Sequence, residues 1–362
     1  MSNFVISCGG TGGHLAPGIA IGKALINKGH KVVFAISKKQ VDSTLVEKYP
    51  ECDFVKISGA PFSLNPKKAL TFAYMQTSGL FASLKLLKKF NCNTAIVFGG
   101  FNSLGVALAA KILKRRLVLH EANMKIGKAV RFLSVFADRI YIPHGTSMER
   151  FKPDVVKYAG YPVRPEIKRV PKTEAKEFFG FAESDRVLLV FGGSQGAFAL
   201  NDWLAKNESL FAENGISVLC ICGAKFGVEN EKVLPAKNGG HVKIKRIMFC
   251  DNMAYALSCC DMVVARAGAG SIAEFARCGC VPVLVPLPTS ADNHQFENAK
   301  LVERCGGGLL IQQSDIDKLF DNVKELFFND ALKERMAKNL ARIDAMNDIS
   351  EMVADIEKLE EA

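Results

Sequence analysis

One pattern occurs twice in this chain and restricts its fold more than any other. An apolar run ends in a glycine pair and a hydroxyl residue at Phe4-Val-Ile-Ser-Cys-Gly-Gly-Thr-Gly-Gly-His14, and again at Val187-Leu-Leu-Val-Phe-Gly-Gly-Ser-Gln-Gly-Ala197. Each reads as a buried strand entering a turn that glycine alone adopts easily, followed by a helix-compatible stretch. Such a turn presents backbone N–H groups and a helix N-terminus to an anion. Two copies about half a chain apart predict two similar α/β domains that face one phosphorylated ligand.

The rest of the chain follows the same alternation. Strand-like runs stand at Phe4–Cys8, Lys31–Ser37, Phe54–Ser58, Thr94–Phe98, Leu117–His120 and Arg139–Pro143, with helical patterns between them such as Leu15–Lys28, closed by Gly29. Gly160-Tyr-Pro-Val-Arg-Pro165 interrupts the pattern as an extended linker. Strand patterns resume at Arg186–Phe191, Ser217–Cys222, Val242–Met248, Met262–Ala265, Val281–Leu287 and Gly308–Gln312. Helical stretches then close the chain from Ser314, which is placed to be an N-cap. The last of them, about Ile349–Glu361, is polar enough to lie across a surface. Mostly apolar strands alternating with helices predict parallel sheets covered on both faces. A length of 362 residues suits two such domains.

Forty-seven Lys and Arg against 37 Asp and Glu give a net charge of +10, which suits an anionic partner. Nucleic acid, an acidic membrane face and a phosphorylated substrate all meet that description. The 11 cysteines form no CxxC pair, and neither Cys220/Cys222 nor Cys278/Cys280 has a histidine at ligand spacing. They read as buried free thiols of a reducing compartment rather than a zinc site. Met1-Ser-Asn leads straight into a strand without a basic signal region, and no apolar segment reaches the roughly 20 residues of a membrane span. A soluble or peripheral cytoplasmic protein is expected. The segment Lys67–Lys89 is apolar and aromatic in the middle with lysines at both ends, and Lys111, Lys114, Arg115 and Arg116 form a second basic cluster. It fits either a helix lying on an anionic bilayer or a core helix with solvated ends.

The first glycine turn is not the dinucleotide fingerprint, because Leu15 stands where the third glycine belongs, and no GxxxxGK occurs. His14 opens the following helix. A helix N-terminus lowers a histidine's pKa, so His14 reads as a neutral base or donor, or as a surface cap. The second turn, Gly192-Gly-Ser-Gln-Gly196, matches the nucleophile elbow of serine hydrolases, with Asp292 or His294 as nominal partners. That reading leaves the twin turn with Thr11 idle. Arg266-Ala-Gly-Ala-Gly-Ser-Ile-Ala-Glu-Phe275 follows a strand, and its small residues admit a ligand to the backbone. Glu274 suits a ribose diol, or a solvated place near the helix start. Two polar clusters, His120-Glu-Ala-Asn123 and Asp292-Asn-His-Gln295, stand at expected sheet-edge loops and together suggest a sugar or nucleotide site.

These residues, taken together, resemble the MurG family (glycosyltransferase family 28), the UDP-N-acetylglucosamine transferases that convert lipid I to lipid II in peptidoglycan synthesis. The resemblance runs from Gly9 to about Asn298. It rests on GGTGGHLAPGIAIG from Gly9, GGFNSLG from Gly99, LHEAN from Leu119, GYPVRP from Gly160, VFGGSQGA from Val190, FCDNM from Phe249, RAGAGSIAE from Arg266 and ADNHQFENA from Ala291. Their order and spacing are specific where each alone is weak.

The resemblance implies a GT-B fold: two Rossmann-like parallel-sheet domains separated by a cleft. Residues 1–163 would form the acceptor and membrane-associating domain, with the C-terminal helix of about 345–362 packing back on it. Residues 164–344 would bind UDP-GlcNAc. It implies an inverting, metal-independent and cofactor-free transfer of GlcNAc to the C4 hydroxyl of MurNAc in undecaprenyl-pyrophosphoryl-MurNAc-pentapeptide (lipid I). Thr11, Gly12 and Gly13 would face the donor and acceptor phosphates, and Arg164 and Ser194 the donor diphosphate. Asn123 and Gln295 would contact GlcNAc, and Cys250 the uracil through its main chain. Ala269, Gly270, Ser271, Ile272, Ala273 and Glu274 would hold the nucleotide, with Glu274 on the ribose hydroxyls. His14 is the candidate base. Phe101, Ala122 and Tyr161 depart from the tyrosine, glutamine and asparagine usual at those places, on the acceptor side. The implied partners are UDP-GlcNAc, lipid I, an anionic membrane surface met by Lys67–Lys89, and cell-wall synthesis and division proteins, with no nucleic acid. The implied location is the cytoplasmic face of the inner membrane. Rival readings are a GT-B transferase acting on a diacylglycerol-type lipid, a hydrolase using Ser194, and a non-catalytic membrane-surface scaffold.

Overall fold

The structure, a computed structural model, describes residues 1–10, 12–38, 46–61, 65–147, 149, 151–193, 196–223, 229–237 and 239–361. The chain divides into two compact units, Met1–Arg164 with Met346–Ala362, and Pro165–Ala345.

The first unit is built on seven parallel strands: β1 Asn3–Ser7, β2 Lys31–Ile36, β3 Asp53–Lys56, β4 Thr94–Val97, β5 Arg116–His120, β6 Arg139–Ile142 and β7 Val156–Tyr158. Their order across the sheet is β3-β2-β1-β4-β5-β6-β7. The apolar runs follow from burial on both faces. Phe4 and Ile6 of β1 enter one core with Ile19, Leu25 and Phe34, whereas Val5 enters the other with Val97, Val106 and Leu119. Helix α1, Gly12–Asn27, covers the first face. It ends where expected, with Gly29 at φ +87° and His30 N–H donating to the Leu25 carbonyl. Helices α2 (Pro66–Lys89), α3 (Ser103–Ile112) and α4 (Lys128–Leu133) cover the second face.

The second unit repeats this plan. Its strands are β8 Arg186–Phe191, β9 Ile216–Ile221, β10 Asn230–Pro235, β11 His241–Ile247, β12 Met262–Ala265, β13 Pro282–Leu284 and β14 Leu309–Leu310, in the order β10-β11-β9-β8-β12-β13-β14. All pairs are parallel except β10 with β11, which form an antiparallel hairpin at the edge. Strand β10 is not evident in the sequence pattern because an edge strand with exposed side chains needs no apolar run; most of Asn-Glu-Lys-Val-Leu-Pro is exposed. Strand β7, three residues at the edge of the first sheet, is likewise mostly exposed.

Two expectations about the C-terminal region are corrected. Ser314 caps no helix: it lies inside a 3₁₀ segment, Gln313–Lys318, and its hydroxyl donates to Asp315. The last helix, Ser350–Glu361, does more than lie across a surface. Met352, Val353 and Ile356 are fully part of the first core, so the polar sequence conceals a buried stripe. Ion pairs fix its flanks. Asp355 meets Arg139 at 2.8 Å and Lys157 at 2.5 Å and accepts the Tyr141 hydroxyl at 2.7 Å, while Glu357 meets Lys28 at 2.5 Å and His30 at 3.0 Å.

Burial alone would raise the Asp355 pKa, but hydrogen bonds from Lys157 and Tyr141 and the Arg139 charge outweigh it and hold the carboxyl below its ordinary value. A depressed carboxylate pKa contributes stability above the unfolded-state value and loses it as pH falls through the folded value. Docking of the last helix is therefore expected to weaken below the usual carboxylate range and not near neutrality. Asp355→Ala should cost about 2–3 kcal/mol in urea unfolding at pH 7, and the deficit should shrink on acidification. An equal deficit at pH 7 and pH 3 would contradict this.

Candidate functional site

In an open parallel sheet, ligands bind beyond the C-terminal ends of the strands where strand order reverses. In the first unit the reversal lies between β1 and β4, and in the second between β8 and β12. The two glycine turns of the sequence follow β1 and β8, so each occupies one side of a reversal. On the other side stand Gly99-Gly100-Phe101 after β4 and Arg266-Ala-Gly-Ala-Gly270 after β12. Gly10, at φ +108°, and Gly193, at φ +84°, hold backbone conformations that other residues rarely adopt. Thr11, Ser194 and Gln195 lie outside the described residues.

At the first reversal, His14 is the third residue of α1 and half-buried. A Cβ on Gly100 would stand 3.4 Å from its ring, and one on Gly10 would stand 3.6 Å from the ring of Phe101. The β1 and β4 loops are therefore in close contact. Pro17, inside α1, has no N–H to give the carbonyl of Gly13 four residues earlier. The hydroxyl of Tyr161 donates to that carbonyl at 3.3 Å. One of the positions that departs from the family's usual residue thus fastens the glycine turn to the end of the unit. Tyr161 is held in turn through its own N–H, which donates to Asn347 Oδ1 at 2.8 Å.

Two buried ionisable groups end β5. Burial pushes His120 down to about 4, and the neighbouring His14 charge acts in the same direction, so His120 is neutral at pH 7; its Nε2 lies 3.4 Å from the Gly160 carbonyl. Burial raises the Glu121 carboxyl, although N–H groups at Gly127 (2.7 Å) and Asn123 (2.9 Å) donate to it. The Asn123 side-chain amide donates to the same carboxyl at 3.1 Å, which orients its carboxamide. Arg164 closes this unit, with Nη1 3.4 Å from the Tyr49 hydroxyl.

At the second reversal, helix α9 (here Ala269–Cys278, after α5 Lys172–Phe179, α6 Phe198–Lys206, α7 Glu208–Glu213 and α8 Met253–Cys259) begins at Gly268, which has no side chain to cap it. Its first turn contains Ala269, Gly270, Ser271 and Ile272. Glu274 is the sixth residue, past the first turn and half-buried, so it is not the solvated first-turn glutamate of the simpler reading. Arg266 is buried; its guanidinium donates to the carbonyls of Val285 (2.9 Å) and Pro286 (3.2 Å) and to Gln313 Oε1 (2.6 Å). The β13 loop held in this way gives the Leu287 N–H to Gln295 Oε1 at 2.9 Å. Asp292 and Asn293 both adopt left-handed conformations, φ +51° and +57°, just before the helix His294–Arg304 that carries Gln295. Aspartate and asparagine are the non-glycine residues that adopt this conformation most readily, so the sequence suits the sharp entry to that helix. Cys250, buried, follows β11 beside the half-exposed Phe249.

The first-unit rim therefore brings together Gly12, Gly13, His14 and, through its own loop, Asn123. The second-unit rim carries Cys250, Ala269–Glu274 and Gln295. Sequence reasoning passed over Glu121 as a positioning group, Arg266 as a loop clamp and Gln76 as a bridge between two loop carbonyls. Glu121 and Arg266 are charged residues directly after apolar strands, which is the available signal for them. Ten of the 11 cysteines are buried and all are free thiols; Cys220 and Cys222 sulfurs are 3.5 Å apart and those of Cys260 and Cys280 are 3.2 Å apart. Among the described residues no three His, Cys, Asp or Glu side chains gather as a metal site.

Two parallel sheets of this strand order, each with a glycine turn at its reversal, are the architecture of GT-B glycosyltransferases. Residues 4–142 match the glycosyltransferase family 28 N-terminal domain and residues 187–353 its C-terminal domain. The UDP-N-acetylglucosamine–N-acetylmuramyl-(pentapeptide) pyrophosphoryl-undecaprenol N-acetylglucosamine transferase of Opitutus terrae is 42% identical over 359 residues, 99% of this chain and 95% of the relative. The transferase of the same name from Aquifex aeolicus is 32% identical over 350 residues, 94% of this chain and 96% of the relative. Among solved structures, MurG of Acinetobacter baumannii shares the fold with a TM-score of 0.69 at 22% identity, covering 99% of this chain and all of that one. The chain belongs to glycosyltransferase family 28.

Removing the hydroxyl that serves the Gly13 carbonyl isolates one interaction of this rim. Tyr161→Phe should lower stability by about 1 kcal/mol and reduce turnover several-fold, measured by urea unfolding and steady-state kinetics. Unchanged stability and turnover would show that the Tyr161 hydroxyl does not hold the turn.

Proposed function

We propose that this chain transfers N-acetylglucosamine from UDP-GlcNAc to the C4 hydroxyl of MurNAc in lipid I, with inversion, forming lipid II. The observation that carries the reading is 42% identity along 99% of the chain to a relative with that name. It is supported by the glycine turns at both strand-order reversals.

The second unit takes the donor. Glu274 accepts hydrogen bonds from the ribose hydroxyls, the main chain at Cys250 meets the uracil, and the first turn of α9 with the Gly192–Ser194 turn receives the diphosphate. Arg164, the last residue of the first unit before the second begins, is assigned a charge-assisted contact to the diphosphate region. Gln295, whose carbonyl end is engaged by Leu287 N–H, offers its amide nitrogen to a GlcNAc hydroxyl. The first unit takes the acceptor, with Thr11, Gly12 and Gly13 toward phosphate and Asn123, oriented by Glu121, toward GlcNAc. In the transfer the acceptor O4 attacks the anomeric carbon as the bond to UDP breaks on the opposite face. His14 takes the hydroxyl proton, and the leaving UDP keeps the bonding electron pair. Backbone N–H groups and Arg164 stabilise the charge that develops on it.

The helix Pro66–Lys89 lies on the cytoplasmic face of the membrane. Leu70, Tyr74 and Phe81 are 75%, 73% and 66% exposed, which a core helix would not leave in water. Lys85, Lys88 and Lys89 are exposed beside them and suit anionic headgroups. No described helix is long and apolar enough to cross a membrane.

Turnover of lipid I against a diacylglycerol acceptor tests the reading; product from diacylglycerol alone would overturn it. Glu274→Ala should raise the UDP-GlcNAc KM about ten- to a hundredfold, as expected for a charged hydrogen-bond acceptor. An unchanged KM would remove Glu274 from the donor site. Phe81→Asp with Leu70→Asp should abolish sedimentation with phosphatidylglycerol vesicles while leaving UDP affinity intact. Undiminished sedimentation would place membrane contact elsewhere.

A further inference from the structure

Helix α2 turns Leu70, Tyr74 and Phe81 outward, and its inner face holds a feature that the proposed function leaves unused. Gln76 stands in the apolar middle of this helix. Its side-chain amide nitrogen donates to the carbonyl of Ala60 at 3.0 Å and to that of Phe101 at 2.9 Å. The two carbonyls belong to different loops, one after β3 and the other after β4. One turn further, Gly79 allows the Ser58 carbonyl to approach: a Cβ there would stand 2.3 Å from it. The β3 loop also presses on the β4 loop, since a Cβ on Gly59 would stand 2.5 Å from Asn102 Oδ1. Beyond Phe101 the contacts continue to the ring's neighbour Gly10 and, through Gly100, to His14.

We propose that Gln76 is a positioning residue for the acceptor side of the transfer. One amide nitrogen has two hydrogens, and here each serves one loop carbonyl. The bridge ties the β3 and β4 loops to one rigid helix, fixing Phe101 and with it the glycine turn and His14. The inference rests on the acceptor role proposed above for this rim. It concerns a hydrogen-bond donor, so side chains of similar size separate donation from packing. Glutamate points oxygens at two carbonyl oxygens, methionine supplies no donor, and lysine supplies donors on a long flexible stem.

The test is steady-state kinetics of Gln76→Met, Gln76→Glu and Gln76→Lys with lipid I, together with hydrogen–deuterium exchange of residues 99–103 in each folded protein. Met and Glu should lower kcat/KM for lipid I about tenfold, the size expected when two half-buried carbonyls lose their donor, and should speed exchange in that loop. Lys should stay within about twofold of the parent in both readouts. The UDP-GlcNAc KM and vesicle binding should not change in any of the three. Parent-like turnover and exchange in Gln76→Met would overturn the inference. So would an equal loss in Gln76→Lys, which would make the role one of packing. If the parent itself fails to turn over lipid I, the acceptor reading fails, and the exchange measurement alone still decides whether Gln76 orders the loop.

Discussion

A parallel sheet covered on both faces leaves little room for polar chemistry, and this constraint organises both units. Interior strands such as β1, β4, β8 and β12 are buried on either side, so their side chains are apolar and contribute packing rather than chemistry. Ionisable and hydrogen-bonding groups are admitted where the strands end. At the reversal of strand order two neighbouring loops part to opposite faces, and backbone N–H groups from both become accessible. The glycine turns stand at these reversals in each unit.

Loops at such a rim need fixing, and the structure uses buried and half-buried polar groups to do so. Glu121 gathers the N–H groups of Asn123 and Gly127. Arg266 joins two carbonyls of the β13 loop to Gln313, and Gln76 joins two carbonyls across separate loops. Tyr161 serves the carbonyl that Pro17 cannot. In each case a backbone group in a loop or at a helix end meets a side-chain partner. Asn123 and the first glycine turn are thereby held in place by neighbouring side chains.

Much of this was legible in the sequence, for a physical reason. Strands buried on both faces write themselves as apolar runs, and β8 and β12 match their expected spans residue for residue. The glycine turns follow β1 and β8 as expected, and each stands at a reversal of strand order. Of the four edge strands, β3 and β14 overlap expected runs, whereas β10 and β7 were not legible, because β10 is mostly exposed and β7 is three residues long. The embedded face of the last helix was hidden by its charged residues, which turned out to pair with Arg139, Lys157 and Lys28. The positioning groups were the least legible of all. A glutamine in an apolar helix carries no pattern of its own, and its role depends on two carbonyls that are 16 and 25 residues away.

The central claim is a division of labour, in which the second unit receives the nucleotide and the first receives the acceptor. Hydrogen–deuterium exchange of the intact protein with and without saturating UDP tests it most directly. The account predicts the greatest protection at residues 249–252, 266–275 and 286–295. Protection concentrated instead at residues 9–14 and 99–102, with the second unit unchanged, would contradict it.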